Sequence, residues 1–173
     1  MNGALRFTLL GLAVVVAGCG RDTKTYTYRS SAMEPTIHCA GPSYGCEADT
    51  ADTLVVESFR GSPERGDIVL LKPSHSAQRK CVPGEFYVKR VIALPGERWE
   101  MRDGYVYIDD QRLAEDYVTA DRRDQSTHPS RRVPEDMFVV MGDNRSHSCD
   151  SRVFGAIPRA NITGRVTKIE RAG

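Results

Sequence analysis

Apolar residues in this chain fall mostly in short runs, several of them alternating with polar ones and each closed by Gly, Pro or Asp. That pattern predicts strands. Tyr26-Thr27-Tyr28 reads as a first strand, Ala51 to Phe59 as a second around Leu54-Val55-Val56, and Ile68 to Leu71 as a third after the Gly66-Asp67 turn. Asp103-Gly104 divides Trp99–Arg102 from Tyr105–Ile108, and the pair suits a two-residue type I′ hairpin turn. Asp109-Asp110-Gln111 turns the chain again. Met137 to Met141 reads as a buried strand and Ile162 to Ile169 as a last, alternating one. Pro73 to Lys80 and the charged stretch from about 114 to 135, with Pro129 and Pro134, read as loops. Beyond the N-terminal segment no apolar run of helical period and useful length occurs. The class is mainly β.

One strand breaks its own pattern. Phe86 to Ala93, stopped by Pro95-Gly96, is rich in aromatic and β-branched residues but carries Lys89 and Arg90 side by side. Alternation puts Lys89 on the face of Tyr87, Val91 and Ala93, and Arg90 on the face of Phe86, Val88 and Ile92. Both faces are apolar, so periodicity does not decide which cation points inward. Chemistry separates the two. A desolvated lysine loses basicity and can act as a neutral base near pH 7, whereas arginine keeps its proton. If one of the pair is a base, it is Lys89; the bland alternative is a surface strand whose cations snorkel.

Composition narrows the function. A formal charge of +1 over 173 residues makes no electrostatic case for nucleic acid. Arg122, Arg123, Arg131 and Arg132 are offset by Asp121, Asp124, Glu135 and Asp136, as in a solvated loop. Residues 1–20 form a unit of their own. Arg6 precedes an apolar run of 11 residues, Phe7 to Ala17, shorter than the roughly 20 that a bilayer-spanning helix needs. A positive start and a short apolar core mark an export signal. Its end, Val16-Ala17-Gly18-Cys19, resembles a bacterial lipobox, which implies lipidation at Cys19; an ordinary signal and an uncleaved anchor are the alternatives. Residues 21–173 then lie outside the cytoplasm as the functional domain. Four cysteines remain there, an even number that suggests disulfides. The expected pairs are Cys39–Cys46, closing a short turn, and Cys81–Cys149 across the fold. No Cys-x-x-Cys spacing supports zinc, and no metal is expected.

Three segments, in order, resemble the type I signal peptidases, membrane-bound serine proteases with a Ser-Lys dyad. Ser31-Ala32-Met33-Glu34-Pro35-Thr36-Ile37 is similar to the family's Ser-Met-x-Pro-Thr box. Tyr87 to Ile92 with Leu94-Pro95-Gly96 is similar to its lysine box. Gly142-Asp143-Asn144-Arg145 through Ser148, Asp150, Ser151 and Arg152 is similar to its Gly-Asp-Asn-Arg box. The resemblance implies an antiparallel, coiled, barrel-like fold with a smaller hairpin excursion over residues 97–136. It implies a monomeric, extracytoplasmic endopeptidase at a membrane that removes signal peptides from precursor proteins, without cofactor. In it Lys89 is the base, Met33 packs beside the nucleophile, and Ser148 hydrogen-bonds and orients the lysine. Asp150 and Arg152 brace the site, and Asp143, Asn144 and Arg145 shape its wall.

One position departs from the family pattern. The nucleophile's place, directly before the methionine, holds Ala32. Ser31 is the expected nucleophile after a one-residue shift, with Ser30 as an oxyanion donor; Ser30 as nucleophile is the second option. Other readings are an inactive envelope lipoprotein that only binds peptides, and a processing protease for one dedicated substrate. In an extended chain such a shift would turn the side chain to the opposite face and require a bulge. His147, beside the third box, is read as a solvated loop residue.

Overall fold

The computed structural model describes residues 22–41 and 45–171. The expected export segment, with Cys19, lies outside them. Eleven strands and two short helices follow one another as β1 (Thr23–Thr27), β2 (Thr53–Ser58), β3 (Ile68–Leu71), α1 (His75–Lys80), β4 (Tyr87–Ala93), β5 (Arg98–Arg102), β6 (Tyr105–Ile108), β7 (Gln111–Arg112), β8 (His128–Arg132), β9 (Met137–Met141), α2 (Ser151–Phe154), β10 (Ile157–Pro158) and β11 (Ile162–Glu170). They form two antiparallel sheets, a larger one in the order β1-β2-β11-β3-β4-β9-β10 and a smaller one in the order β7-β6-β5-β8. The larger sheet ends at β1 and β10, which do not pair, so the expected barrel is not closed among the described residues.

The strand at the centre of the sequence pattern, β4, is also central in space, paired with β3 on one side and β9 on the other. Its residues beyond Arg90 are fully buried on both faces. Val91 joins Val69, Leu71, Phe138, Val140 and Ile157 in one apolar cluster. Ile92 and Ala93 join Val139, Met141, Trp99, Met101 and Val106 in another, and this second cluster glues the small sheet onto the large one. A third cluster, with Tyr28, Met33, Ile37, Leu54 and Leu70, sits beneath the serine-rich segment.

Two stretches read as loops contain regular structure. Pro73 to Lys80 includes α1, because the Ser74 side chain caps it by accepting from the Ala77 N–H at 3.1 Å and Ala77 is fully buried. Within 114–135, His128–Arg132 forms β8, while Glu115, Val118 and Val133 are buried. Proline at position 129 is tolerated because β8 is the edge of the small sheet. At the β5–β6 turn, Asp103 and Gly104 both take positive φ, as a type I′ turn requires.

Candidate active site

The structure resolves the question that periodicity left open: both cations of β4 are inward, on opposite faces. Lys89 is only 5% exposed, and it lines a cleft of about 730 Å³ together with Ser30, Ser31, Ala32, Tyr28, Phe86, Val88 and Cys149. Arg90 points to the other face, where its guanidinium grips Asp143 through two bonds of 2.9 and 2.6 Å and lies 4.0 Å above the Tyr117 ring. Desolvation pushes the Lys89 ammonium down from 10.5 to about 8. Asp150 and Asp143 oppose this shift, and Arg152 adds to it. No hydrogen bond engages the Lys89 ammonium among the described residues.

Ser31 to Met33 form a single turn of 3-10 helix rather than an extended segment. Ser30 caps it, its Oγ accepting from the Ala32 N–H at 3.3 Å. Three residues complete such a turn, so moving one position along it rotates a side chain by about a third of a circle instead of flipping it to the opposite face. The bulge expected from an extended chain is therefore unnecessary. Met33 is fully buried, and Ala32 nearly so. Ser31 is half-buried, and its hydroxyl lies beside Gly45, at 3.1 Å from the place a β-carbon there would occupy. Gly45 belongs to the loop closed by Cys39–Cys46. That loop is anchored on the fully buried Glu34, which accepts from the N–H groups of Cys39 at 2.9 Å and Glu47 at 3.3 Å and pairs with His38 Nδ1 at 2.7 Å. Glu34, His38 and Glu47 could offer a cation three ligand atoms within 4.8 Å of one another, but Glu34 is already engaged by those three partners.

The segment from Gly142 to Arg152 forms the opposite wall. Asn144 ties it to the serine turn twice, through its N–H to the Ala32 carbonyl at 3.1 Å and through Nδ2 to the Ser31 carbonyl at 2.9 Å. Asp143 also accepts from Thr36 Oγ1 at 2.5 Å. Asp150 receives the Gly142 N–H at 3.0 Å, the Arg152 N–H at 3.2 Å and two bonds from the Arg152 guanidinium, at 2.8 and 2.7 Å. Its carboxyl is held below the usual value because the hydrogen bonds and charge of Arg152 outweigh the opposing effect of burial. Arg152 reaches on to Asp124 at 2.7 Å. Cys149 pairs with Cys81, with Cα atoms 5.8 Å apart, and so staples this wall to the end of α1.

The chain matches the family model "Signal peptidase, peptidase S26" over residues 1–169. It belongs to that family. It is 37% identical over 163 residues to signal peptidase I of Leptolyngbya laminosa, covering 90% of this chain and 73% of that one. It is 41% identical over 139 residues to probable signal peptidase I-1 of a Synechocystis species, covering 78% of this chain and 64% of the relative. The crystal structure of a signal peptidase I from Enterococcus faecalis superimposes with a TM-score of 0.51 at 32% identity, over 63% of this chain and all of that one.

Within this signal-peptidase frame the three boxes meet at one cleft, with one difference from the expected arrangement. Ser148 Oγ is buried with no hydrogen-bond partner; it is turned onto the Gly142 backbone, where a β-carbon would overlap it, so the expected bond to Lys89 is not made. His147 is exposed, and its Nδ1 meets Ser146 Oγ at 2.9 Å. The pattern missed Glu115, a buried carboxylate paired with the fully buried Arg145. An acidic residue in a charged stretch gives no signal of burial, because its partner lies 30 positions away.

Proposed function

We propose that the protein is a serine-type endopeptidase that removes signal peptides from exported precursors, with Ser31 as nucleophile and Lys89 as general base. One observation carries this reading: a buried lysine, with its pKa brought down by desolvation to about 8, lines the same cleft as Ser31. The relatives named signal peptidase I support the reaction and the substrate class.

Catalysis runs as proton transfer and acyl transfer. Neutral Lys89 takes the Ser31 hydroxyl proton as Oγ attacks the scissile carbonyl carbon. The resulting oxyanion needs a donor. Ser30 is suited to the task, because it precedes Ser31 at the cap of the serine turn and its hydroxyl lines the same cleft. The Lys89 ammonium then protonates the departing amine, leaving an ester on Ser31. Water, deprotonated by Lys89, hydrolyses that ester and returns the serine. No Ser31–Lys89 hydrogen bond exists in the structure; such contacts commonly tighten only when substrate is bound.

The substrate strand has a free edge to join. β3 pairs with β4 from Tyr87 onward, but β9 pairs with it only from Arg90. The other edge of Tyr87–Lys89 therefore lies open along the cleft, ready to accept an extended precursor by strand addition. Membrane association, on the extracytoplasmic face through a lipid at Cys19, is our reading of Val16 to Cys19. The protein acts in it as a monomer. A serine-reactive penem-type probe tests the assignment: an adduct mapped to Ser31 supports it, and an adduct on Ser30 or none at all overturns it.

A further inference from the structure

Glu115 follows β7 in a stretch that looks solvated in sequence, yet its side chain is only 2% exposed. Its carboxylate receives Arg145 twice, Nη2 on Oε1 and Nη1 on Oε2, the latter at 3.3 Å. The Tyr117 hydroxyl donates to Oε1 at 3.1 Å, and Arg123 Nη1 stands 3.8 Å from Oε2. No other carboxylate pairs with Arg145 among the described residues.

From this cluster two limbs reach the groups around Lys89. In the first, Arg145 Nε donates to the Gly142 carbonyl at 3.0 Å, and the Gly142 N–H donates to Asp150 at 3.0 Å. In the second, Tyr117 supports the Arg90 guanidinium, which grips Asp143. Asp150, Asp143 and Arg152 are the charged groups that act on Lys89. There is little slack in the first limb, because Gly142 is pressed between the Ala32 carbonyl and Ser148.

We propose that Glu115 is a positioning residue of the active site: through Arg145 and Tyr117 it fixes the Gly142–Asp150 and Arg90–Asp143 limbs that surround Lys89. It touches no reacting atom. Its negative charge is required, because Arg145 stays protonated and a buried guanidinium stripped of its counter-ion disturbs everything it holds. Glutamine keeps the shape and loses the charge. The small sheet thereby becomes part of the site's scaffold, since it delivers Glu115 and Tyr117 to the wall.

The test compares Glu115→Gln, Glu115→Asp and the neutral pair Glu115→Leu/Arg145→Met in the full chain. Two readouts are taken per folded molecule: kcat and KM for precursor cleavage, and the pH midpoint of Lys89 acetylation by acetic anhydride, mapped by mass spectrometry. The second needs no activity, so it decides the role of Glu115 even if the Ser31–Lys89 reading, on which the kinetic readout rests, fails. Expected for Glu115→Gln are a kcat lower by about tenfold or more, a KM within about twofold, and substantial rescue by Glu115→Asp. Its Lys89 midpoint moves by about half a pH unit or more. The neutral pair removes both charges of the fully buried ion pair, and Arg123 keeps its bonds to the Gly104 and Val118 carbonyls, so it folds but keeps the low kcat and the displaced midpoint. A folded Glu115→Gln or neutral pair with wild-type kcat and midpoint overturns the proposal, as does a Glu115→Gln variant that changes only in melting temperature. If Glu115→Gln does not fold, the neutral pair decides.

Discussion

Gly142 lies against Ala32 so closely that a β-carbon on Gly142 would overlap the Ala32 carbonyl oxygen and stand 2.5 Å from Ser148 Cβ. The third box thus presses its backbone directly onto the serine turn. Gly142→Ala is expected to push the two walls apart. The cost should be about 1–3 kcal/mol of stability from overpacking and about a hundredfold in kcat/KM from the misplaced site. Thermal melts beside precursor-cleavage kinetics check both.

In the proposed mechanism Lys89 sets the pH dependence of the reaction. Its neutral form is the base, and its pKa is lowered to about 8. Below that value kcat/KM should fall about tenfold per pH unit, and above it level off. A profile flat from pH 6 to 9 contradicts the assignment.

The same burial has a consequence for stability. The unfolded chain holds the Lys89 proton up to about 10.5, the folded chain only to about 8. Between these values unfolding takes up a proton, so raising the pH stabilises the fold, by about 3 kcal/mol across the window. Below pH 8 the gain is absent. Lys89→Met should remove this slope and be more stable than wild type at pH 7; chemical denaturation of both proteins at pH 7 and pH 10 measures it.

The two disulfides do different work. Cys81–Cys149 closes a sequence separation of 68 residues, and its Ser/Ser variant should lose about 4 kcal/mol. Cys39–Cys46 closes only seven, for about 2.5 kcal/mol, but it holds Gly45 beside Ser31. Mild reduction should therefore lower activity before it unfolds the chain. Unchanged cleavage with all thiols free removes this role for the loop.

Much of this was legible in the chain because the signals were local. The β5–β6 hairpin follows from Asp103-Gly104, and β4 from its apolar run. What was not legible depends on distance. Lys89 and Arg90 both turn inward because Asp143 and Tyr117 meet Arg90 on the second face of β4, a fact that alternation along one strand does not contain. β8 forms despite Pro129 because it falls on an edge. Glu115 is buried only because Arg145, 30 positions on, reaches it. The serine segment winds into a 3-10 turn under its Ser30 cap, and this changes what a one-residue shift means.

The central claim is that Ser31 and Lys89 cut precursors although Ala32 stands at the family's nucleophile position. The most direct measurement is cleavage of a signal-peptide-bearing precursor by purified wild type, Ser30→Ala, Ser31→Ala and Lys89→Ala. The account predicts cleavage by wild type, slower cleavage by Ser30→Ala, and none by Ser31→Ala or Lys89→Ala. A Ser31→Ala variant that cuts like wild type, or a wild type that cuts no good precursor, contradicts it.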